Sequence, residues 1–98
     1  MKQEKEASYV YILECSDGSL YTGWTTDVEK RLAVHNAGKG AKYTKPRLPV
    51  KLVYVETVDS KSQGQQRECS IKKLKRPQKL ELIGSSRNEL DAVKTKSN

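Results

Sequence analysis

At 98 residues and 35% hydrophobic content, the chain fits one small domain with a modest core and excludes two. Its 19 basic and 12 acidic side chains leave a formal charge of +7, which points to a polyanionic partner, nucleic acid first. Two cysteines, Cys15 and Cys69, are too few for a disulfide scaffold. No apolar run approaches the ~20 residues that cross a bilayer, and the charged start Met1 to Ala7 does not read as a signal peptide, so a cytoplasmic protein with no membrane partner is expected.

Taken in chain order, Ser8 to Cys15 (SYVYILEC) is a β-branched and aromatic run with almost no polar alternation, the mark of a strand buried on both faces. Ser16-Asp17-Gly18-Ser19 reads as a hairpin turn, and Leu20 to Thr25 returns antiparallel. Thr26 or Asp27 caps a helix through Val28, Leu32 and His35, which the glycines of Asn36 to Gly40 end. A basic loop, Lys39 to Leu48, leads to a third strand, Val50 to Val58. Ser60 or Ser62 opens a second helix through Cys69, Ile71 and Leu74, whose first turns Gly64 weakens. Pro77 suits the first turn of a last helix, Gln78 to Ile83, closed by Gly84. The fold class is α+β (mixed α/β): a three-stranded antiparallel sheet flanked by helices, in the order β-β-α-β-α-α. The expected organisation is a flexible N-terminus over 1–7, one domain over 8–84 and a flexible tail over 85–98.

Charge is unevenly spread. Residues 39–54 hold Lys39, Lys42, Lys45, Arg47 and Lys51 with no acid, and residues 72–79 hold Lys72, Lys73, Lys75, Arg76 and Lys79 with no acid. Such blocks suit a phosphate-binding face or, equally, a solvated surface. Tyr43 and Trp24, near this charge, are candidates for stacking on bases.

Tyr9-Val10-Tyr11, then Tyr21-Thr22-Gly23, then Arg31 and His35 one helical turn apart, then Glu68 on a later helix, together resemble the GIY-YIG nuclease superfamily. The run His35 to Thr44 (HNAGKGAKYT) followed by Pro49 to Tyr54 resembles its small single-domain UPF0213 group. The resemblance spans roughly residues 8–83. The chain departs from the family name at Tyr9 and Thr22, carries Trp24 where excision-repair relatives have lysine, and has no asparagine between Ser70 and Arg87.

The resemblance implies a metal-dependent DNA endonuclease, in DNA repair or recombination, with Tyr11, Tyr21, Arg31, His35 and Glu68 as catalytic residues. One tyrosine would activate or position water and the other hold a phosphate oxygen, with the base role open between them. Arg31 would clamp the phosphate, and His35 would orient a tyrosine or relay a proton. Glu68 would be the sole protein ligand of Mg²⁺ or Mn²⁺. Gly23, Lys39, Lys42, Tyr43, Lys45, Arg47, Lys72, Lys73, Lys75, Arg76 and Lys79 would contact DNA. The resemblance leaves room for a protein partner that supplies specificity, and for an alternative in which the chain is a non-catalytic or partner-dependent nucleic-acid-binding module. Taken alone, the tyrosines are ordinary strand aromatics and Glu68 is placed to pair with Lys72 at i+4.

Overall fold

The computed structural model describes residues 7–91; the expected flexible N-terminus lies almost wholly outside them, as do residues 92–98. Strands β1 (Ser8–Glu14), β2 (Leu20–Thr25) and β3 (Lys51–Val58) form one antiparallel sheet in the order β2-β1-β3. The central position of β1 explains its unbroken apolar composition, because both of its edges are paired and both of its faces are covered. Val10, Ile12 and Leu13 are all fully buried. The hairpin turn is fixed by Asp17, whose Oδ1 accepts from both the Ser19 amide (3.0 Å) and the Ser19 hydroxyl (2.6 Å).

Helix α1 (Val28–Asn36) starts where Asp27 accepts from the Lys30 amide, one of the two expected caps. Its Leu32 packs on the sheet face that carries Tyr11, Leu13 and Cys15. Its last residue, Asn36, takes the place of a strand neighbour for Val50: Nδ2 donates to the Val50 carbonyl (3.0 Å) and Oδ1 accepts from the Val50 amide (2.8 Å). The end of α1 is thereby fastened to the residue that precedes β3. The basic loop between them holds one 3₁₀ turn, Lys45–Arg47.

Helices α2 (Lys61–Lys72) and α3 (Arg76–Ile83) cover the other face. Ile71, Leu82 and Ile83 meet Val10, Ile12 and Tyr54 there. Ser60 is the cap of α2, accepting from the Gln63 amide. Gly64 is buried beside Trp24, with space for an added Cβ at ordinary contact distance (3.5 Å), so its cost to the helix is not forced by crowding. Helix α3 starts two residues earlier than expected, with Pro77 in its first turn, and Gly84 closes it.

The flexible tail expected from residue 85 is corrected over residues 85–91, which dock on β3. The Glu89 amide donates to the Val55 carbonyl (2.8 Å), and the Glu89 carboxylate accepts from the Thr57 amide and hydroxyl. Asn88 is the latch. Its Nδ2 donates to the Val53 and Ile83 carbonyls (2.8 Å each), and its Oδ1 accepts from the Val55 and Leu90 amides. The open edge of β3 is closed by polar side chains rather than by a fourth strand. Asn88→Ala strips partners from four backbone groups at once and is expected to lower unfolding free energy by about 1–3 kcal/mol in urea denaturation. An unchanged midpoint would show that the segment is not held this way.

Candidate active site

The β1–β2 register sets Tyr11 opposite Gly23 and Leu13 opposite Tyr21, so both tyrosines rise on the face covered by α1. Tyr11 is 2% exposed and leans across its neighbour strand. A Cβ built at Gly23 would stand 2.5 Å from the Tyr11 hydroxyl oxygen, so the glycine of the second motif is the space the phenol occupies. On α1, Arg31 and His35 face the same way by their four-residue spacing. His35 is fully buried, with Nε2 3.1 Å from the Tyr11 hydroxyl and Nδ1 3.0 Å from the Thr44 hydroxyl. A Cβ at Gly40 would collide with the imidazole, so a second glycine leaves room for the second ring. Tyr21 meets His35 edge-on, with ring centroids 5.4 Å apart.

Electrostatics separate the groups. Burial pushes the Tyr11 phenol up; the Arg31 guanidinium against its hydroxyl pulls it down, while Tyr21 and the Glu68 carboxylate raise it further. Burial, helped by the Arg31 charge, holds His35 below the usual imidazole value, so the ring is neutral at pH 7. A protonated phenol thus lies against a neutral imidazole, with a fixed cation beside them.

Glu68 projects from α2 with its side chain 20% exposed and its Oε2 3.1 Å from Lys72 Nζ, so the i+4 pair is formed. It is also the carboxylate whose charge reaches Tyr11. Among the described residues no three His, Cys, Asp or Glu side chains come together. The donor set at this end of the site is one partly open carboxylate, which suits a hard cation completed by water and phosphate, Mg²⁺ or Mn²⁺, and not a zinc cage.

The other four expected catalytic residues each act on Tyr11, His35 by a hydrogen bond and Arg31, Tyr21 and Glu68 electrostatically, and Gly23 lies beneath it. The expected nucleic-acid residues divide. Lys39, Lys42, Lys45, Lys73, Lys75 and Arg76 are exposed, and Lys79 is half-buried. Lys72 reaches the site through Glu68. Arg47 and Tyr43 are tied to one another at the surface, where Tyr43 is 40% exposed. Arg47 pairs with Asp17 (3.0 Å), donates to the Tyr43 carbonyl (2.7 Å) and lies 4.0 Å over the Tyr43 ring. Tyr43 in turn stacks on Tyr21, with centroids 6.1 Å apart. Its ring braces Tyr21 on one face while the side chain stays exposed.

Sequence reasoning did not single out Thr44 and Gly40 as part of the site, although both lie in the run from His35 to Thr44. It also did not find an open pocket of about 250 Å³ where Arg31 meets Trp24, Thr25, Thr26 and Lys61. That pocket joins the end of β2 to the start of α2, two segments no local pattern connects.

The model of the GIY-YIG catalytic domain matches residues 7–81. The chain belongs to the GIY-YIG family. It is 65% identical over 77 residues to a UPF0213 protein of Syntrophus aciditrophicus, covering 78% of this chain and 88% of that one. A UPF0213 protein of Clostridium perfringens is 62% identical over 78 residues, covering 80% and 84%. Among solved structures, the solution structure of a UPF0213 protein from Bacillus halodurans is similar at 47% identity and a TM-score of 0.54, over 83% of this chain and 86% of that one. GIY-YIG proteins form a nuclease family, so the site geometry has a DNA-directed chemistry to be read against. Among the described residues no helix is long and apolar enough to cross a membrane.

The buried imidazole carries a pH prediction. Because the folded-state value of His35 lies below the unfolded one, the unfolded chain takes up the proton first as pH falls. Its contribution to stability is full above the unfolded value, about 6.5, and is lost as pH drops through the folded value. Urea midpoints are expected to fall between about pH 7.5 and pH 5.5 in the wild type and to change less in His35→Gln. Identical slopes in the two proteins would contradict a buried neutral ring.

Proposed function

We propose that the protein is a metal-dependent DNA endonuclease that hydrolyses a phosphodiester in one in-line step, and that such cutting serves DNA repair or recombination. The observation that carries this reading is the buried Tyr11–His35 pair with Arg31 against its hydroxyl. A phenol with an ordinary value near 10 is a poor base by itself. Here it has a neutral acceptor at hydrogen-bond distance and a guanidinium that favours its anion. Tyr11 takes a proton from water and passes its own to His35 Nε2, which makes it the relay tyrosine. The Tyr21 hydroxyl has no hydrogen-bond partner among the described residues, and Tyr21 binds a phosphate oxygen.

Arg31 faces the same centre and stabilises the charge that builds on the phosphate. Glu68 holds the divalent cation, Mg²⁺ or Mn²⁺. When bound, the ion supplies positive charge to the phosphate and the departing oxygen. Lys72, paired with Glu68 in the absence of substrate, keeps that carboxylate oriented. The exposed lysines of the loop, Lys39, Lys42 and Lys45, carry the DNA backbone, with a protein partner as a further source of specificity.

The test is cleavage of labelled single-stranded, duplex and branched DNA with Mg²⁺ or Mn²⁺, with chelator controls. Cutting is expected in the wild type, and Glu68→Ala is expected to lose at least about 100-fold in rate while still binding DNA. Binding should weaken steeply as salt rises, because phosphate contacts release counterions. Salt-sensitive binding with no cutting in either protein would favour the alternative, a nucleic-acid-binding module.

A further inference from the structure

The hydrogen bonds through His35 have only one direction in which every buried proton finds an acceptor. Arg31, whose guanidinium acts on the Tyr11 phenol, can only donate. It cannot take the phenol's own proton, which needs a different acceptor. The acceptor at hand is His35 Nε2, 3.1 Å away. A neutral imidazole that accepts at Nε2 carries its hydrogen on Nδ1. Nδ1 meets the Thr44 hydroxyl at 3.0 Å, and that hydroxyl donates onward to the Ala41 carbonyl at 3.0 Å. The opposite direction would have Thr44 donate to Nδ1 and Nε2–H donate to Tyr11. The Tyr11 proton would then have no protein acceptor among the described residues, in a side chain only 2% exposed.

We infer that Thr44 is a positioning residue: its hydroxyl, anchored on the Ala41 carbonyl, holds His35 in the Nδ1–H tautomer and so keeps Nε2 open to the Tyr11 proton. Thr44 touches neither substrate nor metal in this account and acts only through the imidazole. Three features of the loop serve the arrangement. Thr44 is fully buried, which protects its hydroxyl from competing water. Its amide also donates to the Ala41 carbonyl (3.1 Å), so one tight turn aims both groups at the same oxygen. Gly40, just before that turn, leaves the imidazole its space. The ring is thus gripped at Nδ1 by the loop and at Nε2 by the sheet.

The catalytic meaning of this arrangement rests on the nuclease reading above; the tautomer itself does not. Ring-nitrogen NMR of the ¹⁵N-labelled full chain, without metal or DNA, reads it directly. At a pH where His35 is neutral, the wild type is expected to show a protonated Nδ1 and an unprotonated Nε2. Thr44→Val keeps the shape and removes the acceptor, so the ring should shift toward the Nε2–H form, and Thr44→Ser should restore the wild-type pattern. A wild-type ring protonated at Nε2, or a folded Thr44→Val protein with an unchanged ring pattern, overturns the inference. If Thr44→Val does not fold, the wild-type spectrum and Thr44→Ser still decide.

Cleavage supplies a second arm. Thr44→Val is expected to cut about 10–100-fold more slowly, through kcat rather than KM, with Thr44→Ser near wild type. A Thr44→Val rate equal to wild type overturns the positioning role even if the tautomer is as stated. A wild type that does not cut at all would defeat the nuclease reading and leave the tautomer to the spectra alone.

Discussion

The hydrogen bond between the Tyr11 hydroxyl and His35 Nε2 joins the central strand to the first helix in a space that no larger neighbour could share. Burying two polar rings face to edge is costly unless each polar atom is satisfied, and much of the fold around them supplies that satisfaction. The Asp27 cap starts α1 so that Arg31 and His35 point at β1. Asn36 fastens the end of that helix to Val50. Gly23 and Gly40, one on each side, are the absences of side chain that let the two rings approach. Few substitutions at these positions leave the pair in place.

Charge is arranged about the same bond. Arg31 favours loss of the Tyr11 proton, and Glu68 opposes it. In the absence of a cation or substrate the balance, dominated by burial, leaves the phenol protonated. Under the proposed nuclease reading, positive charge on the Glu68 side would ease the loss of that proton. The aromatic layer of Tyr21 and Tyr43, with Arg47 over it and Asp17 behind, stiffens the flank of the site that faces solvent. Its cation pairs with Asp17, whereas the lysines of the same loop are exposed.

Much of this was legible in the sequence because it is local. The apolar run of β1, the Asp17 turn, the caps at Asp27 and Ser60, and the closing Gly84 each follow from a few adjacent residues. The site was legible only as an ordered set, since Tyr11, Tyr21, His35 and Glu68 are ordinary residues until the register brings them together. What was not legible depends on distant polar partners. A stretch rich in Ser, Asn and Lys after Gly84 reads as a free tail, yet Asn88 and Glu89 substitute for a strand along β3. The pairing of Arg47 with Asp17 is hidden in the sequence because the two stand thirty residues apart. Thr44 looks like a loop hydroxyl until the imidazole nine residues before it is seen to need an acceptor.

The central claim is that Tyr11 and His35 act as one unit, and a double-mutant cycle on single-turnover DNA cleavage tests it most directly. Tyr11→Phe and His35→Gln should each slow cutting, and the double variant should cut within about threefold of the slower single variant, because either change breaks the same relay. Losses that multiply in the double variant would mean that the two residues contribute independently, and the relay would be wrong.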